Sequence, residues 1–124
     1  MLGTGVREER VIALEAAIQQ LTARPAAYFG LIDRGAIREG YHADLVIFDP
    51  ATIGCGPIIR RHDLPGGDEQ YRLYAEPRGI DHVLVNGVEI VRHGKHTGVL
   101  PGTLLRSGKD TRTVPMDALR SKAA

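Results

Sequence analysis

Apolar residues recur at helical spacing near the start of the chain, at Val11, Leu14, Ile18 and Leu21, with Ala13, Ala16 and Ala17 adding propensity. Arg10, Glu15, Gln19 and Gln20 fall mostly on other faces. This pattern predicts one amphipathic helix over about 7–22. Pro25 suits the first turn of a second short helix over 25–29, with Tyr28 and Phe29 packing inward, and Gly30 is placed to end it in a left-handed cap. Turns follow at Asp33-Arg34-Gly35 and Glu39-Gly40, separated by a short extended piece at Ala36-Ile37-Arg38. Leu45 to Phe48 is then a continuous apolar run with β-branched residues, which predicts a strand covered on both faces. Asp49-Pro50 stops it, because proline cannot donate to a ladder.

From 51 to 77 the periodicity fades among Gly54, Gly56, Pro57, Pro65, Gly66, Gly67 and Pro77, and a long irregular loop is expected. The clearest local signal comes next. Ile80 to Val85 and Val88 to Arg92 flank Asn86-Gly87, the pair that a type I′ hairpin turn requires. Pairing Val85 with Val88 sets Val83 opposite Ile90, His82 opposite Val91, and Asp81 opposite Arg92 as a cross-strand ion pair. Beyond Gly102 the chain turns polar; it is expected to pack partly or fray, with a last helical turn over 116–122.

Bulk properties narrow the choice. The 124 residues fit one modest domain, with 43% hydrophobic residues arguing against disorder. A formal net charge of +1 supplies no basic field for nucleic acid or an anionic membrane. No apolar run reaches the roughly 20 residues that span a bilayer, and the first residues are no secretory signal. The single cysteine, Cys55, has no internal disulfide partner and fits a reducing compartment. A soluble, cytoplasmic protein is expected.

Catalytic chemistry is harder to find. Hydrolytic metal sites need several converging ligands, but His42, His62, His82, His93 and His96 form no His-x-His or His-Glu-x-x-His pair. His93 and His96 are three apart in a turn, where that spacing has no helical meaning. No Gly-x-Ser-x-Gly elbow or phosphate-binding loop is present. Arg60-Arg61-His62-Asp63 is either a substrate clamp or a solvated polar stretch.

The order of short blocks is more specific than any one of them. Leu14-Glu15, Leu21-Thr22, Pro25-Ala26, Phe29-Gly30-Leu31, Asp33-Arg34-Gly35, Gly40-Tyr41, Ala43-Asp44-Leu45-Val46 and Phe48-Asp49-Pro50 come first. His62-Asp63-Leu64-Pro65-Gly66-Gly67, Val83-Leu84-Val85-Asn86-Gly87, Thr97-Gly98, Pro101-Gly102 and Leu104-Leu105-Arg106 follow. Together they resemble the C-terminal end of an amidohydrolase-superfamily enzyme, of the N-acyl-D-amino-acid deacylase (D-aminoacylase) kind. The resemblance implies an α+β fold: N-terminal helices, then a small, mostly antiparallel β-sheet like the C-terminal part of the family's composite β-sandwich, without a complete TIM barrel. By it, 1–30 corresponds to the last barrel-side helices, 31–106 to a partial sandwich and 107–124 to a polar tail.

The same resemblance implies a parent reaction, zinc-dependent hydrolysis of a linear amide C–N bond. The family's zinc ligands and catalytic carboxylate lie upstream of every matched block, so no catalytic or metal residue is assigned here, and the chain is expected to bind no cofactor and to be inactive alone. Arg60, Arg61, His62 and Asp63 are the candidates for contacting a substrate mouth. The alternatives are a stand-alone β-rich binding or assembly module, or a hydrolase centred on His93, His96 and Asp63. The expected partners are a second copy, through an exposed strand or exchange of the 7–22 helix, or a missing barrel domain.

Overall fold

The computed structural model describes residues 1–67 and 69–115. The expected helices followed by antiparallel sheet are present, and no barrel closes among the described residues. The single helix expected over 7–22 is instead two elements. A π-helix spans Leu2–Glu8, and helix α1 begins only at Leu14–Leu21. Between them Arg10 takes a left-handed φ of 54° and Val11 is 74% exposed. The periodicity at Val11 was therefore accidental. Packing decides the break: Gly3 is buried, and Arg7 donates from Nη1 to the carbonyl of Ile53 over 2.6 Å. This anchors the π-helix to the middle of the chain.

Helix α2 spans Ala23–Tyr28, two residues earlier than Pro25 suggests, so that proline lies inside the first turn. Its end follows the sequence. Gly30 has φ 64°, Leu31 N donates to Ala26 O over 2.8 Å and Gly30 N to Ala27 O over 3.3 Å, which closes the helix with the paired bonds of a Schellman motif. Tyr28 and Phe29 do not pack inward. Both are exposed and meet each other edge to face at 5.1 Å.

The main sheet has four antiparallel strands, in the order β1 (Leu45–Phe48), β6 (Ile80–Val85), β7 (Val88–Arg92) and β8 (Lys95–His96). The 51–77 stretch is not a structureless loop. It holds two short ladders, β2 (Gly54–Cys55) with β5 (Pro77–Arg78), and β3 (Ile59–Arg61) with β4 (Arg72–Tyr74). Strands of two or three residues carry too few positions to show alternation, so periodicity did not reveal them.

The 80–92 hairpin has the predicted strands, with Asn86 at φ 50° and Gly87 at φ 77°. Its register agrees only beside the turn, where Val85 pairs with Val88 and Leu84 with Glu89. A bulge then leaves Ile90 without an opposite residue, so Val83 faces Val91 and His82 faces Arg92. The expected Asp81–Arg92 pair does not form; Arg92 binds Glu89. The carbonyl of the bulged Ile90 accepts from Thr97 N over 3.0 Å, which holds β8 in place.

Side-chain burial is slight. Among the described residues, Ala17, Ala26 and Ile53 are the buried apolar side chains. Strand β1 lies at the sheet's edge, and instead of being covered on both faces it leaves Val46 55% and Ile47 52% exposed. The polar tail packs in part: Thr111 bridges Leu31, and Arg112 N donates to Gly30 O over 2.9 Å. The helical turn expected over 116–122 lies outside the described residues.

Candidate functional site

Three polar constellations emerge from this fold. The first joins the strand signature to the hairpin turn. Asp44, just before β1, accepts from the backbone nitrogen of Asn86 through Oδ1 over 2.8 Å and pairs with Arg34 through Oδ2. Arg34 also donates to Asn86 Oδ1 over 3.3 Å, and Asn86 Nδ2 donates to Pro101 O over 3.0 Å. One carboxylate thus ties three chain segments together. Beside it, Asp33, Arg34, His42, Thr103, Lys109 and Asp110 line a shallow cleft of about 250 Å³. Asp44 and Arg34 bind each other and both bind Asn86, an arrangement that suits a brace better than a catalytic pair.

The second constellation is a product of the β7 bulge. Glu89 meets Arg92 at 2.5–2.6 Å and the His82 ring Nδ1 at 2.5 Å. An ionised carboxylate only accepts, so His82 presents an N–H there. The His82 ring packs at 5.0 Å against that of His93, which sits in a turn with φ 48°. The Arg92 hydrogen bond, then that of His82, holds the Glu89 carboxyl below its ordinary range. This cluster is not legible in the sequence, since in an unbulged register Arg92 would face Asp81.

The third holds the four predicted mouth residues. Arg60 and Arg61 on β3 lie over tyrosine rings, Arg60 4.8 Å from the Tyr71 centroid and Arg61 4.0 Å from that of Tyr74. The His62 ring lies 5.8 Å from Tyr71. Asp63 takes a two-pronged bond from Arg72, 2.7 Å from Nε and 2.6 Å from Nη2, which lowers its carboxyl from the usual range. The four do share one hairpin. Asp63 is committed to Arg72, so the cationic faces of Arg60 and Arg61 are the groups most able to meet an anion.

Among the described residues no group of three His, Cys, Asp or Glu side chains is arranged to hold a metal ion. Asp63 serves Arg72, and His96 lies on β8 opposite Val91. A hydrolytic zinc centre needs at least three protein ligands with an open position. These residues do not provide that donor set, and a centre built on His93, His96 and Asp63 is not formed.

The sequence model of the amidohydrolase family matches residues 1–91. The chain belongs to the amidohydrolase family. It is 39% identical to an N-acyl-D-aspartate deacylase of Alcaligenes xylosoxydans xylosoxydans, over 87% of this chain and 20% of that enzyme. It is 40% identical to an N-acyl-D-glutamate deacylase from the same organism, over 86% of this chain and 19% of the relative. The crystal structure of a D-aminoacylase, described as defining a novel subset of amidohydrolases, superposes with a TM-score of 0.58 at 36% identity. That superposition covers 79% of this chain and 18% of the other. This amidohydrolase chain therefore spans about one fifth of the length of the relatives it matches. No helix among its described residues is long and apolar enough to cross a membrane.

Proposed function

We propose that this chain is the C-terminal, non-catalytic portion of a cytoplasmic amidohydrolase that removes the acyl group from N-acyl-D-amino acids. The observation that carries this reading is the coverage: 79% of the chain superposes on 18% of a D-aminoacylase at 36% identity. Shared ancestry is thus combined with a described donor set unsuited to the family's metal. The chain's own work is structural. Asp44 and Arg34 brace the hairpin turn, and Arg7 ties the N-terminal segment to the sheet. Arg60, Arg61 and His62 are its contacts to a substrate mouth, with Asp63 holding Arg72 and so fixing the hairpin.

The test is an assay of the purified 124-residue chain with N-acetyl-D-aspartate and N-acetyl-D-glutamate in zinc-supplemented buffer, alongside its metal content by mass spectrometry. No released D-amino acid and no stoichiometric zinc are expected. Turnover by the chain alone, abolished by His93→Ala, would overturn the reading.

A further inference from the structure

Two histidine rings stand side by side next to the β7 bulge. His82 on β6 and His93 in the turn between β7 and β8 have ring centroids 5.0 Å apart, with their planes at 64°. The His82 ring is fixed in one state, because its Nδ1 presents an N–H to Glu89 Oε1 at 2.5 Å. In the neutral ring the lone pair then lies on Nε2, which no described residue bonds. A carboxylate that takes one ring proton and so readies the opposite nitrogen as a donor is the arrangement found behind metal-bound histidines. Both rings can be reached from solvent: the His82 side chain is 29% exposed, and His93 is exposed.

The spacing suits a shared ion. A metal–nitrogen bond of roughly 2.1 Å puts an imidazole centroid about 3.2 Å from the metal, so two such rings lie from about 4.5 Å apart at a right angle to about 5.3 Å at the tetrahedral angle. The observed separation falls inside that range. His96 is not a third ligand. It pairs with Val91, whereas His82 pairs with Arg92, and consecutive residues of a strand point to opposite faces. Among the charges beside the pair, Glu89 and Arg92 bind each other, and Lys95 stands opposite Arg92.

We propose that His82 and His93 together bind one late first-row divalent metal ion, with water completing its shell and Glu89 as the positioning residue for His82. Imidazole suits such metals. With half the ligands of a structural zinc site, a Kd on the order of 10 µM is expected. The ion would tie the β7–β8 turn to β6, to which its main chain is joined by the 3.3 Å bond from Gly94 N to Asp81 O. Metal held this weakly leaves on gel filtration, so the zinc-content test of the non-catalytic reading stands or falls separately.

The probe is Ni²⁺, which does not oxidise the exposed Cys55, titrated into the full chain carrying Cys55→Ser. Calorimetry should show one site, and paramagnetic broadening in amide NMR spectra should begin at residues around His82 and His93. His82→Gln and His93→Asn, the latter compatible with the left-handed φ of 48°, should each weaken binding at least tenfold. His42→Ala, His62→Ala and His96→Ala should not. Glu89→Ala should weaken it about tenfold, and Glu89→Gln, which keeps an acceptor for the ring N–H, should recover most of the loss. Binding no tighter than millimolar overturns the proposal, as does an affinity that survives both histidine variants. Broadening centred on His42, His62, His96 or the amino terminus overturns it equally, and that measurement needs no histidine variant to fold.

Discussion

The backbone nitrogen of Asn86 donates to Oδ1 of Asp44 over 2.8 Å, joining two residues 42 positions apart in sequence. The bond explains why an aspartate stands immediately before an apolar strand. Its carboxylate caps the hairpin turn from one side while Arg34 neutralises it from the other. Asp44→Ala removes the acceptor and leaves Arg34 without its carboxylate, with Asn86 Oδ1 as its remaining contact. It should destabilise the chain by about 1–2 kcal/mol, read as a shift in urea midpoint at constant slope. Asp44→Asn, which keeps one acceptor, should recover part of the loss.

Gly79, between β5 and β6, has φ 70°, and a methyl group there would meet the backbone of Thr52 and Ile53, with Ile53 N 2.5 Å away. Main chain cannot swing aside as a flexible side chain can. Gly79→Ala should therefore cost at least the ~1–3 kcal/mol of an unfavourable left-handed residue, whereas Gly98→Ala, with open space around its added carbon, should cost no more than its conformational term. Thermal denaturation of the two variants side by side separates close approach from dihedral strain.

The β7 bulge makes a distinct claim about charge partners. A double-mutant cycle between Glu89 and Arg92 should show favourable coupling, and one between Asp81 and Arg92 should show none. Coupling confined to Asp81 and Arg92 would mean that the regular register, without the bulge, prevails in solution.

Among the described residues three carboxyls are held below their ordinary values. Asp49 is lowered by the Ala51 backbone N–H and then the Thr52 hydroxyl, Asp63 by the Arg72 hydrogen bonds, and Glu89 by Arg92 and then His82. Each binds protons more weakly folded than unfolded, so its contribution is fully present above the unfolded value and lost as pH falls through the lower folded one. Stability should thus be flat near neutrality and decline below about pH 4.5, the ordinary glutamate value, and further below 3.8, that of aspartate. Arg72→Ala removes the cause of the Asp63 shift and should flatten the acid limb of a pH series of urea midpoints.

Local codes were legible in the sequence. The Leu45–Phe48 strand, the Asn86-Gly87 turn and the Gly30 helix end are each specified within a few residues, because β-branched runs, positive-φ pairs and left-handed caps act at short range. Ordered blocks such as Ala43-Asp44-Leu45-Val46 also determined the family, because their order along the chain is specific where each block alone is not. Contacts between distant segments decided the rest. Gly3 and Arg7 meeting Ile53 broke the expected first helix, and an extra residue at Ile90 turned Arg92 from Asp81 to Glu89. The short β2–β5 and β3–β4 ladders arise where residues 11 to 24 positions apart come together. None of these is encoded in a local period, because each depends on which backbone atoms meet once the chain has folded. The open faces of β1 belong to the same class: the sequence determined a strand with apolar side chains on both sides, and only the tertiary structure showed that this chain leaves both in water.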